Sequence, residues 1–473
     1  MFDAQTDRPR PGYQVRSPWA SICHVRPRIP HLKMKIACYQ CDGELAALRS
    51  GWNALAAGEP LVSWEWLTSW WRHYGRDIRR RGGDLLVLAA ESAGGELIGL
   101  APWYLGVGIR GRVIRFLGSG DACTDYLTVL AAPGYETQVA EGLSAWLCGW
   151  VRSNPCRRPH GAAGHGPVAP PWRAGWDLME FDGVDATDAR MQALMRVLSE
   201  HGMHVAAEQG SRCWRVAFPP TWEAFLARLS KSHRKQVGRC QRRYLEAGRA
   251  SLHVANTPAE LSRGLEILSD LHGRRRQALG DAGRFADARF AGFLAEASRL
   301  LLETGQLRLC WLEIEGKPAA AELHLTGPRT VYAYQSGVDP QLLEHEPGRI
   351  ITLATLRAAL EDGYAAFDFL RGDEPYKAHW RAEPRPLLAW HVVAPRLGSR
   401  ARYAAWKAAR GLRRQLKKLA SSRQQRHVQP AAGDHPEQDT DRSMAAEKPG
   451  SRHAASNPSA RSEGAHQPQE VLG

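Results

Sequence analysis

The sequence predicts an α/β (α+β) protein made of two successive halves of similar make-up, with unstructured ends. Three observations carry that expectation. At 473 residues the chain is too long for one ordinary domain and long enough for two cores. In both halves, short apolar runs bounded by Gly and Pro turns alternate with stretches of helical periodicity. After Ala420, Ser, Gln, His, Pro and mixed charge take over, a composition that buries too little apolar surface to fold.

Periodic sequence begins near Met34, so residues 1–34 read as a disordered leader or a mis-assigned start. The first half is expected over 35–210. Ser63 opens a helix carrying aromatics at helical spacing from Trp64 to Trp71. Asp84–Ala90 and Glu96–Tyr104 read as paired strands joined at Gly94-Gly95, and Val113–Leu117 and Tyr126–Leu130 as further strands. Glu136–Val151 reads as a helix and Asn154–Gly175, dense in Pro, Gly and basic residues, as a loop.

The second half is expected over 211–395. Thr221 caps one helix, and Thr257-Pro258-Ala259-Glu260 combines a capping box with Pro at the first helical position of another. A third helix ends at Gly305. Leu307–Ile314, Ala319–Leu325 and Val331–Ser336, joined by short turns, predict an antiparallel meander. A helix from Gly348 to Asp362, stopped by Gly363, and a strand over Ala366–Leu370 follow. Residues 396–419 predict a basic amphipathic helix, and 420–473 a disordered tail.

The formal net charge of +14 implies an anionic partner. One cationic cluster runs from Lys231 to Arg249. Another occupies Arg396 to Ala432, where Asp and Glu are absent. Basic helices are commonly solvated faces, so specific nucleic-acid binding is not expected; the expected partner of 396–419 is an anionic membrane surface. Nine cysteines show no disulfide framework, and Cys38-x-x-Cys41 lacks a second pair to make a zinc site, so no metal is expected. No run reaches the roughly 20 apolar residues that cross a bilayer, and no signal-peptide core is present. A cytoplasmic protein, peripheral at the inner membrane face, is the expected setting.

Phosphate-loop, dinucleotide, zinc-protease and serine-hydrolase motifs are absent. Chemically capable residues gather instead on the meander and its continuation. Glu322 and His324 should share one strand face, and Tyr332, Tyr334 and Ser336 another. Asp368 to Trp380 packs acids, bases and aromatics directly after a strand. A salt-bridged loop anchoring the C-terminus would give the same density, so spacing leaves the two readings even.

Tyr334-Gln335-Ser336-Gly337-Val338-Asp339-Pro340, Pro347-Gly348-Arg349 and Phe367-Asp368-Phe369-Leu370-Arg371-Gly372-Asp373-Glu374-Pro375-Tyr376-Lys377 resemble the GNAT-type acetyltransferase domain of the cellulose-biosynthesis CelD-like family. Ser232 to Val237 resembles its opening basic helix. Trp66 to Trp71, Phe116 to Gly120 and Asp125-Tyr126 look like the family's first half. The resemblance implies tandem acyl-CoA N-acyltransferase-like subdomains, FemAB-related in architecture, that use acetyl-CoA or another acyl-CoA as co-substrate.

It further implies that Val331–Ser336 splays from its neighbour, so that Tyr334, Gln335 and Ser336 meet the pantetheine arm. The pyrophosphate would meet the helix start at Gly348, Arg349 and Ile350. This chain departs from the usual phosphate loop in having one glycine there, with Glu344 and Glu346 beside it. Acyl transfer to an amine needs a base and an acid. Glu322 is the candidate base, since burial on an apolar strand would raise its pKa; Tyr376 is the candidate acid, supported by Asp373 and Lys377. The expected activity is N-acyl transfer from a CoA thioester to an amine on a sugar or envelope/exopolysaccharide precursor. Alternatives are FemAB-like aminoacyl transfer from charged tRNA, motivated by the cations from Lys231 to Arg249, and a non-catalytic accessory role in polysaccharide assembly.

Overall fold

The computed structural model describes residues 34–152 and 175–426. The leader, all but the last residue of the loop expected at Asn154–Gly175, and the tail beyond Arg426 lie outside the described residues. Within 34–426 the elements follow one order twice. The first pass is β1 (Lys35–Tyr39), α1 (Arg49–Ala56), α2 (Trp64–Arg80), β2 (Asp84–Glu91), β3 (Leu97–Gly108), β4 (Gly111–Phe116), the two-residue β5 (Leu130–Ala131), α3 (Glu136–Arg152), β6 (Leu178–Asp185), α4 (Ala189–Glu200) and β7 (His204–Ala217). Two short helices, α5 (Trp222–Arg228) and α6 (Lys231–Cys240), lead into the second pass. That pass is β8 (Ala250–Val254), α7 (Pro258–Ala278), α8 (Ala288–Glu303), β9 (Leu307–Ile314), β10 (Lys317–Thr326), β11 (Thr330–Val338), α9 (Pro347–Glu361), β12 (Ala366–Arg371), α10 (Pro375–His379) and β13 (Glu383–Val393). Helix α11 (Leu397–Arg426) closes the described chain.

Local chemistry sets the helix starts. Ser63 Oγ accepts from the Trp66 N–H to open α2. Thr257 and Glu260 exchange both capping-box bonds at α7, with Pro258 at its first position. Gly363, at φ 84°, ends α9 in a conformation that costs glycine little.

One sheet joins both passes in the order β1-β2-β3-β4-β6-β13-β7-β12-β11-β10-β9-β8, with β5 paired to β3. Each pass forms an antiparallel meander of four strands whose last member then meets a parallel strand, β4 with β6 and β11 with β12. The final strands are exchanged. β13, from the second pass, pairs with β6 and β7, while β7, from the first, pairs with β12. The boundary expected near residue 210 therefore falls inside β7, a strand that serves both passes. The largest apolar core runs through both as well, from Trp52, Trp66 and Trp103 to Phe290, Phe293 and Leu323.

The structure corrects two local expectations. Tyr126–Leu130 is not a strand: Tyr126 sits at φ 61° with its N–H bonded to Gly183 O, and pairing begins only at Leu130. Ser336 does not share a face with Tyr332 and Tyr334. A β-bulge makes Tyr334 an extra residue opposite the Leu323–His324 step, so Ser336 pairs with Glu322 while Tyr332 pairs with Leu325. β6, β7, β8 and β13 were not legible as strands, and α11 extends to Arg426, beyond the expected limit of 419.

Candidate functional site

The two parallel junctions differ in what lies beyond their last rung. In the first pass, β4 and β6 pair at Val113↔Leu178 and Ile114↔Met179. Just past those rungs Phe116 packs on Phe181 at 4.4 Å, both wholly buried, and Arg115 Nε bonds Glu180 at 2.7 Å. That junction is plugged by the protein's own side chains. In the second pass, β11 and β12 pair at Thr330↔Ala366, Val331↔Phe367 and Tyr332↔Asp368. Beyond Tyr332 the pairing with β12 stops: Ala333, Tyr334 and Gln335 are half-buried and Ser336 is exposed, while Tyr334 packs on Trp66 and Phe290 and donates to Ala122 O at 2.6 Å.

One face of this junction meets a cavity of about 1060 Å³. Arg215, Asp368 and Tyr332 stand side by side across β7, β12 and β11 and line it. Tyr126 Oη donates to Asp368 Oδ2 at 2.7 Å, and the Leu370 N–H reaches Oδ1 at 2.8 Å. Tyr332 Oη donates to Glu59 at 2.7 Å, and Arg215 to Thr330 Oγ1 at 2.9 Å. Burial pushes the Asp368 carboxyl up to about 6; the Tyr126 and Leu370 hydrogen bonds and the Arg215 charge oppose the rise, and Asp125 adds to it. Burial, then the Asp368 charge, raises the Tyr126 phenol, which keeps it a donor.

Behind this row lies a buried ion pair. Asp125, 0% exposed, receives Arg371 Nε at 2.5 Å and the Arg371 N–H at 3.1 Å. A Cβ on Gly183, which has φ 73°, would stand 2.9 Å from the Arg371 guanidinium, so glycine lets β6 pass close to the pair.

On the opposite face, Glu322 and His324 stand together as expected. Glu322 accepts from Thr352 Oγ1 at 3.0 Å and Thr355 Oγ1 at 3.1 Å, both on α9, and His324 Nε2 lies 2.9 Å from its Oε2. Both carboxylate oxygens are thus engaged beside the exposed Ser336. Tyr376 is 46% exposed, with its ring edge-on to Phe369, and its phenol is raised by burial and then by the charges of Glu374 and Glu322.

The expected supporting residues are engaged by the protein's own groups. Asp373 accepts from Arg212 at 2.9 Å and Trp214 Nε1 at 3.0 Å, and the Arg212 bond holds its carboxyl below the usual range. Lys377 is buried and donates to the carbonyls of Leu370, Arg371 and Gly372 at 3.0–3.2 Å. It pegs the turn in which Leu370 takes φ 55°.

At the start of α9, Arg349 pairs with Glu346, which also accepts from Arg239 at 3.0 Å. The N–H groups of Arg349 and Ile350 bond Glu346 O, and the Ile350 side chain is wholly buried, while Gly348 faces Val338. Of the groups expected to hold a pyrophosphate, those of Arg349 and Ile350 are here closed on Glu346. Among the described residues, no cluster of three or more His, Cys, Asp or Glu is placed to hold a metal.

Residues 231–378, which contain this junction, match the family model described as an acetyltransferase (GNAT) domain. This segment is similar to a GNAT domain. With the repeated element order, the fold is a tandem GNAT-like arrangement, and the β4–β6 and β11–β12 junctions are the equivalent places in its two copies. The match supports the acyl-CoA N-acyltransferase superfamily. Solved structures similar to the chain include FemX, at 11% identity over 75% of this chain and 96% of that one, with a TM-score of 0.49. A second is the C-terminal domain (DUF2156) of a putative lysylphosphatidylglycerol synthetase from Agrobacterium fabrum, at 11% identity, 78% and 97% coverage and a TM-score of 0.43. A third is a tandem GNAT protein from the clavulanic acid biosynthesis pathway, at 13% identity, 77% and 100% coverage and a TM-score of 0.39. No curated protein matches the chain in sequence.

The β11–β12 junction brings together residues that sequence reasoning left without roles: Asp125, Tyr126, Asp368 and Arg371, with Glu59 and Arg215 beside them. The signal lay in the resemblance, which contained Asp125-Tyr126 and Asp368 to Arg371 as separate stretches. Nothing in their spacing linked residues more than 240 positions apart.

Proposed function

We propose that the chain is an N-acyltransferase that moves an acetyl or longer acyl group from a CoA thioester to an amine. The observation that carries this reading is the parting of β11 from β12 after the Tyr332↔Asp368 rung, inside the segment that matches the acetyltransferase (GNAT) model. The thioester enters on the α9 face, where β11 from Ala333 to Gln335, unpaired with β12, offers backbone groups to its amide-bearing arm, while the Ser336 carbonyl is taken by His272 Nδ1 at 2.9 Å. Tyr376 protonates the departing thiolate. Glu322, held by Thr352, Thr355 and His324, acts as an acceptor on that face, and Arg349 reaches phosphate once released from Glu346. An amine on a sugar or envelope precursor is the acceptor that the CelD-like resemblance favours.

One observation supports a second reading, aminoacyl transfer from charged tRNA. Lys231, Arg234, Lys235 and Arg239 are exposed on α6, which packs beside α9. One titration decides between the two. Acetyl-CoA should bind saturably and raise the melting temperature, with stabilisation of about 2.7 kcal/mol at 100 times Kd. No heat and no stabilisation with acetyl-CoA or longer acyl-CoAs overturns the thioester reading. Tight tRNA binding with a steep salt slope would then take its place.

Helix α11 is proposed to dock on an anionic membrane surface. Leu412 and Leu416 are more than half exposed one helical turn apart, among exposed Arg400, Lys407, Arg413 and Arg414. Among the described residues, no helix is long and apolar enough to cross a membrane. The full chain should sediment with phosphatidylglycerol-containing vesicles and stay free of neutral ones. Replacing Leu412 and Leu416 with Asp should weaken sedimentation more than about tenfold, since each buried leucine contributes roughly 1.5–3 kcal/mol. Equal affinity for neutral vesicles refutes the role.

A further inference from the structure

We infer that the cavity of about 1060 Å³ is the acceptor site, and that it takes a primary amine carried on an amphipathic body, whose ammonium proton passes to Asp368. The inference rests on the thioester reading for its second substrate but not for its binding test.

Position comes first. The cavity opens on the face of the junction opposite Glu322 and Tyr376, and Asp368 occupies the last rung before β11 and β12 part. A donor on the α9 face and an acceptor in the cavity would therefore meet at the gap between the strands, each approaching from its own side. A nucleophile and a thioester so placed face each other without competing for space.

Charge comes second. In a chain of net charge +14, this cavity is lined by the carboxylates of Glu59, Glu136, Asp185, Asp188 and Asp368 and by the guanidiniums of Arg190 and Arg215; Arg190 pairs with Asp188 at 3.2 Å and Arg385 with Asp185 at 3.3 Å, which leaves Glu59, Glu136 and Asp368 to face Arg215. A cation is favoured there over the anions that the rest of the surface attracts.

Shape comes third. The wall away from Asp368 is apolar, built from Leu61, Val62, Leu97, Ala131, Ala132 and Pro133. The volume is of drug-molecule scale, where pockets run to about 1,000 Å³, and exceeds what a free amino acid or simple amine fills. The amine end belongs at Asp368 and the apolar end along this wall.

The chemistry balances. The ammonium loses one proton to ionised Asp368, and the freed nitrogen pair forms the C–N bond at the thioester carbonyl carbon. The C–S bond breaks with its electrons on sulfur, and the thiolate takes the Tyr376 proton. The nitrogen sheds its second proton to restore Tyr376, and Asp368 releases its own to solvent. Amide, free thiol and one proton result. Tyr126 keeps Asp368 aimed while remaining protonated. Groups facing Asp368 are Tyr126 and Asp125 from the loop after β4, Arg215 and Cys213 from β7, and Tyr332 from β11. Burial raises the Asp125 carboxyl, and its ion pair with Arg371 opposes that rise.

The test uses the full chain with 4-phenylbutylamine, its alcohol analogue 4-phenylbutanol, and ethanolamine as a small amine, without donor. Phenylbutylamine should shift the melting temperature, and the shift should grow from pH 5 to pH 7 as Asp368 ionises around 6 while the ammonium stays charged. The alcohol and ethanolamine should shift it at least tenfold more weakly per concentration. Asp368→Asn should remove the pH dependence, and Ala132→Phe should block the amine while leaving acetyl-CoA binding intact. With acetyl-CoA present, Asp368→Asn should lower amine-dependent thiol release about 100-fold or more. Equal shifts by amine and alcohol, or an Asp368→Asn response identical to the parent, overturn the inference. If Ala132→Phe weakens lauroyl-CoA binding but not the amine, the cavity holds the donor's chain and the inference also fails. Amine binding in the absence of any acyl-CoA binding sustains this site while refuting the thioester reading, so the two failures are distinguishable.

Discussion

Asp125→Ala is expected to destabilise the fold by about 3–5 kcal/mol, the usual loss when one partner of a buried ion pair is removed. Asp125 is 0% exposed and takes both the guanidinium and the backbone N–H of Arg371. Deleting it strands a cation whose remaining partner, Asp182, lies 3.7 Å away and is itself largely exposed. The pair also ties the loop after β4 to the end of β12, so the loss extends to Tyr126, one residue along. Urea unfolding reads the effect as a lower midpoint at unchanged slope. The double variant Asp125→Ala, Arg371→Met should recover part of the loss, because no charge is then left uncompensated. A single-variant loss below about 1 kcal/mol, or a double variant worse than the sum of its parts, would contradict this account.

Trp66→Ala should cost a similar amount, about 3–5 kcal/mol, through lost burial and the cavity left behind. The indole is wholly buried on α2, edge-on to Phe293 at 4.7 Å and to Tyr334 at 4.8 Å, with Nε1 bonded to Thr124 Oγ1 at 3.1 Å. It therefore joins a helix of the first pass to a helix and a strand of the second. Trp66→Phe keeps much of the contact area and should lose about half as much, although Thr124 loses its donor in both variants. Urea midpoints for the two variants rank them; equal losses would mean that packing volume is not what Trp66 supplies.

Much of the second half was legible because its signals are local. Thr257 and Glu260 announce a helix start, and Gly316 and Gly363 mark a turn and a stop that the structure repeats. β8 and β13 were not legible for a matching reason. Ala250–Val254 is short, and Glu383–Val393 begins with Glu-Pro-Arg-Pro, which reads against a strand. Both are specified by long-range pairing. The faces of β11 were misread because a bulge has no sequence mark where Tyr334 sits, and one extra residue inverts the alternation after it. Glu322 and His324 were correctly placed together, since β10 alternates regularly across them. The Asp368–Tyr126 contact was invisible to any spacing rule. It forms only because Tyr126 adopts a left-handed backbone in a stretch whose composition predicted extended chain.

The swap of β7 and β13 makes the order of synthesis matter. On a translating ribosome β6 and β7 are complete by residue 217, but the strand that belongs between them ends at residue 393. At roughly 5–20 residues per second, the nascent first half waits on the order of 9–35 s with one edge of β6 and both edges of β7 without their partners. A chain cut after Ala217 is therefore expected to aggregate through those edges, and light scattering of the fragment against the full chain would read it.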